Sequence, residues 1–250
     1  MPVHERSNMR LIFIRHAEPD YEHDSVTAKG EREARLLAER LAREKVDGVY
    51  ISPLGRAQRT AQAYLKKVNG QGETCGWLQE FAARVRHPGS ENLRRIWDFL
   101  PSVVEKYPLL YSANDWLNVP FIRESEVPAA YARVCGELDA LLEKHGYRRR
   151  GMFYEAFAPN TQTLVFFCHL GITGVLLSHL FGQSPVAILQ SFAGVPTCVT
   201  EVVTEEREEG TASFRARWIG DISHLYKEGE PPSFYSSGYC EVFADDTMRH

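Results

Sequence analysis

The sequence predicts an α/β protein, a three-layer α/β/α domain built on a mostly parallel central sheet with a helical insertion over the C-terminal strand edge. Three observations predict it. Strand-length apolar runs alternate with helical patterns in a β-α-β-α-β rhythm. The runs are apolar throughout rather than at alternate positions, as strands covered on both faces are. They also end on arginine, serine and histidine, at the edge where open α/β sheets hold ligands.

Each element follows from its residues. Arg10 to Ile14 reads as the first strand, and it stops on Arg15-His16-Ala17-Glu18. That pair suggests an anion held by Arg15 beside a nucleophile or base, His16. On this segment alone, a strand that reaches solvent explains it equally well. Thr27 is placed as an N-cap, and Leu36, Leu37, Ala38, Leu41 and Ala42 form the apolar face of the helix behind it. Val46 to Ile51 predicts a second strand, Ser52-Pro53-Leu54-Gly55 a turn, Arg56 to Val68 a helix, and Thr74 to Leu78 a third strand. The pattern then loosens. Glu91 to Phe99 and Glu126 to His145 read as helices, the second with Val134, Leu138, Leu141 and Leu142 on one face, and Met152 to Phe157 as a strand. We expect a single domain over residues 1–250, with this stretch, about 81–160, inserted as a lid. The core resumes at Thr163 to Cys168, and His169 and a helix from Ile172 to about Phe181 follow. Cys198 to Thr204 and Phe214 to Ile219 are the last strands. The Pro-, Ser- and Gly-rich tail after Glu228 reads as a surface segment.

Composition narrows the function classes. The chain has 250 residues, 44% hydrophobic and 25% charged, the profile of an ordinary globular protein. A net charge of -4 gives no reason to expect nucleic acid or an anionic membrane as partner. No apolar stretch approaches the roughly 20 residues that span a bilayer. The five cysteines are widely spaced and form no CxxC pair, so a disulfide framework or zinc knuckle is not expected. Together with an N-terminus lacking an apolar signal core, this predicts a cytoplasmic protein. A homodimer is compatible with the sequence, which leaves oligomeric state open.

Strand ends then supply a constellation. The first gives Arg15 and His16, the second Ser52 and Arg56, and the late strand His169 and Gly171. In a parallel sheet these ends share one edge. Arginine forks match phosphate oxygens bidentately. A neutral imidazole is a competent nucleophile near pH 7. A second, protonated histidine would stabilise equatorial oxygens. A carboxylic acid with a raised pKa would protonate the leaving alkoxide. Glu80, read as the end of the third strand, is the favoured acid, and Glu18 in the loop after His16 the less favoured one.

These residues resemble the histidine phosphatase superfamily, also called phosphoglycerate mutase-like. Arg15-His16-Ala17-Glu18 is similar to its RHG/RHA signature, Thr27-Ala28-Lys29-Gly30 to its LTxxG helix start, and Ser52 to Ala61 to its SPLxRAxQTA segment. Glu80 falls at its acid, His169-Leu170-Gly171 at its second histidine, and Gly220 to Leu225 resembles a common ending. The resemblance implies His16 as the phosphorylated nucleophile and Arg15, Arg56 and His169 as the phosphate pocket. It implies Glu80 as proton donor, no metal and no cofactor. The backbone N–H of Leu170 is expected to face the phosphate from its position alone. The implied activity is a metal-independent phosphomonoesterase acting on a small phosphorylated metabolite. The alternatives are a phosphoglycerate mutase or a non-catalytic phosphate-binding protein of the same fold. Ala17, Pro19-Asp20-Tyr21, Phe81 to Arg84 and Leu170 depart from the mutase pattern and favour a phosphatase.

Blander readings hold for the rest. Arg59 is a helix-surface arginine, and Ser52 supports its turn. Most of Arg84, Arg86, His87, Arg94 and Arg95 form a solvated face, with one or two left to meet extra negative charge on a substrate. Tyr154 and Trp116 are expected in a small core rather than a pocket. His23 and His224 are not expected to be catalytic.

Overall fold

The computed structural model describes residues 8–233, 240 and 243–244. Its main sheet has eight strands: β1 (Arg10–Arg15), β2 (Gly48–Ile51), β3 (Glu73–Thr74), β4 (Tyr147–Arg150), β5 (Phe153–Ala156), β6 (Thr163–Cys168), β7 (Val199–Glu208) and β8 (Thr211–Asp221). Their order is β3-β2-β6-β1-β7-β8-β5-β4, parallel from β3 to β1 and antiparallel beyond. Six helices matter here: α1 (Ala28–Leu41), α2 (Gly55–Val68), α3 (Pro101–Lys106), α4 (Val127–Lys144), α5 (Leu170–Phe181) and α6 (Pro185–Ser191). No helix among the described residues is long and apolar enough to cross a membrane.

The central strands explain the layers. Successive side chains point to opposite faces. Leu11, Phe13, Leu164 and Phe166 therefore join one buried cluster, while Ile12, Ile14, Val165 and Phe167 join the other. Leu37 and Leu41 of α1 and Ala61 and Tyr64 of α2 cover the second face. Leu138 of α4 and Ile172 and Val175 of α5 cover the first. Each fully buried Leu, Ile or Phe stabilises by roughly 1.5–3 kcal/mol. Thr27 caps α1 by accepting the Gly30 N–H at 3.1 Å.

Register brings the reactive ends together. Arg15 lies opposite Cys168, and Ile51 opposite Phe167. The residues just beyond, His16, His169 and Ser52, therefore leave the sheet side by side. The His16 N–H donates to Cys168 O at 3.0 Å, and the Ser52 N–H to Phe167 O at 2.9 Å.

Several elements differ from expectation. The third strand is only Glu73–Thr74, and a 3-10 turn over Gly76–Leu78 replaces its second half. Its neighbour β2 ends at Ile51, paired with Thr74, and then turns away at Ser52-Pro53, so nothing continues the ladder. Glu80 thus follows a turn rather than ending a strand. Glu91 to Phe99 is not a helix. Gly89, at φ 89°, reverses the chain, and Arg94–Arg95 pairs antiparallel with Arg84–Val85. The late helix begins at Leu170, two residues before the predicted Ile172.

The segment 81–160 divides. From 127 onward it builds α4, β4 and β5 into the main body, where Tyr147 and Tyr154 are fully buried. From 81 to 126 it lies against the same core cluster through Phe81, Ile96, Phe99, Leu110, Trp116 and Ile122. Tyr154 and Trp116 are core residues, as expected. The predicted tail after Glu228 falls mostly outside the described residues. Of its described residues, Gly229, Pro231, Cys240, Phe243 and Ala244 are exposed, as expected, whereas Ser233 is buried and donates to Glu18 Oε2 at 2.6 Å.

Candidate active site

His16 is 2% exposed. Its ring Nδ1 lies 2.8 Å from the Ala17 carbonyl. A carbonyl only accepts, so Nδ1 carries the proton and Nε2 presents its lone pair. Burial, with the Arg15 charge beside it, lowers His16 from 6.5 to about 3. The ring is therefore neutral at physiological pH.

The second histidine faces the first, with ring centroids 5.1 Å apart. His169 Nε2 lies 2.8 Å from Ser52 Oγ, which also accepts the Leu54 N–H at 3.3 Å. With the Ser52 hydroxyl as donor to Nε2, the His169 proton resides on Nδ1. That Nδ1 is buried without a partner among the described residues. An unpartnered buried donor is costly, and such groups collect at ligand sites. Burial, His16 and the two arginines push the His169 pKa far down, so it too is neutral at physiological pH.

Positive charge comes from the arginines. Arg15 is buried and donates through Nη1 to Gly194 O. Arg56 stands in the first turn of α2, ion-paired through Nη1 with Asp24 Oδ1 at 2.7 Å. Its guanidinium stacks over Tyr21, 5.4 Å from the ring centre, and its buried Nε has no partner among the described residues. Both arginine charges help lower His16 and His169, which marks all four as neighbours.

Glu80 rests on the start of α5. Its Oε1 accepts the N–H groups of Phe81 at 2.8 Å and Ile172 at 3.0 Å, and its Oε2 that of Gly171 at 3.3 Å. These bonds fix the Glu80 carboxyl group at the N-terminus of α5. Leu170, the first residue of α5, keeps a backbone N–H with no acceptor among the described residues. Glu18 does not compete as the acid. Its Oε1 accepts the Thr27 hydroxyl at 2.7 Å and its Oε2 that of Ser233 at 2.6 Å.

The structure thus gathers His16, His169, Arg15 and Arg56 and sets Glu80 on the helix that starts beside His169. It also reveals supports that sequence reasoning missed. Asp24 holds Arg56 and accepts the Gly55 N–H at 2.7 Å. Thr60 accepts the Ala17 N–H at 2.9 Å, and Glu33 that of Glu18 at 2.8 Å, which fixes the loop after His16. Arg59 pairs with Glu31 on the surface, as its blander reading had it.

Residues 11–91 match the family model of the histidine phosphatase superfamily, branch 1. The chain is 26% identical over 152 residues to phosphoserine phosphatase 1 of Hydrogenobacter thermophilus, a stretch covering 55% of this chain and 66% of that protein. Its fold is similar to a phosphoserine phosphatase mutant of Entamoeba histolytica solved with phosphoserine, with a TM-score of 0.57 and 19% identity over 87% of this chain and 99% of the other. A mycobacterial glucosyl-3-phosphoglycerate phosphatase is similar at a TM-score of 0.55 and 15% identity, over 86% of this chain and all (100%) of that one. The superfamily's histidine phosphatase fold accounts for the mixed sheet with helices on both sides.

Proposed function

We propose that the protein is a phosphomonoesterase that works through a phosphohistidine on His16 and needs no metal. One observation carries this reading. His16 is held with Nδ1 occupied and Nε2 presented, its ring facing that of His169, whose buried Nδ1 has no partner among the described residues. The phosphatase names of the relatives support it.

In the first step Nε2 of His16 attacks phosphorus. The P–N bond forms as the P–O ester bond breaks, and the alkoxide leaves with the proton of the Glu80 carboxylic acid. Arg15, Arg56, His169 Nδ1–H and the Leu170 N–H would hold the three non-bridging oxygens. In the second step water attacks phosphorus and gives a proton to the Glu80 carboxylate. The P–N bond breaks, which returns neutral His16 and inorganic phosphate. An entering dianion opposes the arginine charges and restores basicity to both rings, so a protonated His169 belongs to the loaded site.

The substrate reading is a small phosphorylated metabolite. The lid is assigned to 81–126, and the unpaired state of all five cysteines supports a cytoplasmic setting.

The test is direct. Purified protein should hydrolyse p-nitrophenyl phosphate in EDTA, and His16→Ala should reduce kcat by roughly 1,000-fold or more while its circular dichroism is unchanged. Near-normal activity in His16→Ala would overturn the mechanism. Conversion of 3- to 2-phosphoglycerate without phosphate release would replace hydrolase by mutase.

A further inference from the structure

We propose that the leaving alcohol occupies an apolar and aromatic pocket beside the phosphate site, so that the preferred substrates are monoesters of bulky apolar alcohols without a second anionic group. This rests on the phosphomonoesterase reading of the same site.

A cavity of about 590 Å³ is lined by Trp97, Phe99, Val104, Leu170, Leu189 and Phe192. Leu170 ties it to the reaction, since the same residue offers its N–H at the start of α5 and lines a smaller cavity with Arg15. Trp97 lies against Gly171, where an added Cβ would stand 2.4 Å from the indole and 2.6 Å from Glu80 Oε1. The aromatic wall and the acid therefore meet at one point.

The volume falls in the range of pockets for drug-sized ligands, roughly 300–1,000 Å³, well beyond a three-carbon acid. Its lining hydroxyl and amide side chains are bonded to protein. The Tyr111 hydroxyl donates to Gln190 Oε1 at 2.8 Å, Gln190 Nε2 to Phe99 O at 2.9 Å, and Ser191 Oγ to Ala187 O at 2.6 Å. Among the described residues Glu105 is the only charged lining group, and it repels an anion.

Three arginines of the same stretch have partners of their own. Arg94 pairs with Asp98 at 3.0 Å, Arg86 donates to Glu91 O, and Arg95 donates to Phe81 O at 3.0 Å and lies over the Trp97 ring, 5.4 Å from its centre. None of them lines the cavity. Leu100, 66% exposed, and Leu109 and Tyr111, 48% and 45% exposed, extend the apolar character along the segment that bears α3.

The experiment compares kcat/KM for ethyl, glycerol, 3-phenylpropyl and 3-phosphoglycerate monoesters, whose leaving alcohols differ little in acidity. We expect 3-phenylpropyl phosphate to exceed ethyl phosphate by roughly 10- to 100-fold and 3-phosphoglycerate to fall below both. Val104→Asp should cut the advantage of phenylpropyl over ethyl phosphate to under about threefold. The exposed Glu105→Lys, which does not threaten folding, should raise 3-phosphoglycerate alone by about threefold or more. Equal or better turnover of 3-phosphoglycerate by wild type overturns this assignment and leaves the phosphatase reading standing. If no ester turns over, that reading fails, and calorimetry decides the pocket: roughly tenfold tighter binding of 3-phenylpropyl than ethyl phosphate supports it, and equal affinity overturns it.

Discussion

Ser52 sets which nitrogen of His169 carries the proton. Its hydroxyl lies 2.8 Å from Nε2 and accepts the Leu54 N–H; as donor to Nε2 it leaves the imidazole proton on Nδ1, the group that holds a phosphoryl oxygen in the proposed mechanism. Ser52→Ala removes that bond, and Nε2 then competes for the proton. We expect kcat to fall roughly 10- to 100-fold, the usual loss when a supporting hydrogen bond to a functional histidine is removed, with KM within about threefold. Steady-state kinetics on 3-phenylpropyl phosphate measures both, and an unchanged kcat would show that the tautomer is held by something else. Arg15 and His16 were legible in the sequence because they stand together at the end of an apolar run. The role of Ser52 was not. Its partner lies 117 positions away, and only the parallel register of β2 against β6 makes them neighbours.

At the scale of elements, the start of α5 joins the acid to the aromatic wall. Glu80 accepts the N–H groups of Gly171 and Ile172, and Trp97 lies so close to Gly171 that a Cβ there would stand 2.4 and 2.5 Å from indole carbons. Gly171→Ala must therefore displace Trp97, Glu80 or both. Overpacking of this kind costs roughly 1–3 kcal/mol, and the lost alignment of Glu80 should lower kcat/KM by roughly tenfold or more. Thermal unfolding and kinetics together check this, and a destabilised variant with wild-type kcat/KM would mean that the position of Glu80 is unimportant. The helix itself was legible within two residues, from the apolar run that follows His169. The stretch from Thr74 to Phe99 was misread for a physical reason. A strand persists only while its neighbour does, and β2 turns away at Ser52. The Arg94–Asp98 spacing imitates a helical ion pair, yet Gly89 folds that segment into a hairpin.

The molecule as a whole balances buried titrating groups of opposite sense. Burial lowers His16 to about 3 and His224 to about 4, and it lowers His169 as well. Unfolded histidines titrate near 6.5, so these three contribute stability that is complete above about 6.5 and is lost as pH falls toward their folded values. Glu33 runs the other way. It stands at helical spacing from Leu37 on the buried face of α1, fully covered, and burial raises it from 4.5 to about 7. A value raised on folding favours the protonated form. Its contribution is complete below about 4.5 and is lost as pH rises through about 7. Three histidines outweigh one glutamate on the acid side and roughly cancel it above about pH 7, so the sum predicts a steep decline below about pH 6.5 and a nearly level region from about pH 7 to 8. Glu33→Gln keeps an oxygen for the Glu18 N–H and removes the titration. It should be more stable than wild type by roughly 2 kcal/mol at pH 8 and equal to it near pH 4.5. Urea denaturation at the two pH values measures the difference. The same gain at both would show that Glu33 acts through packing, whereas a gain confined to pH 8 would trace it to a buried charge that also holds the loop beside His16.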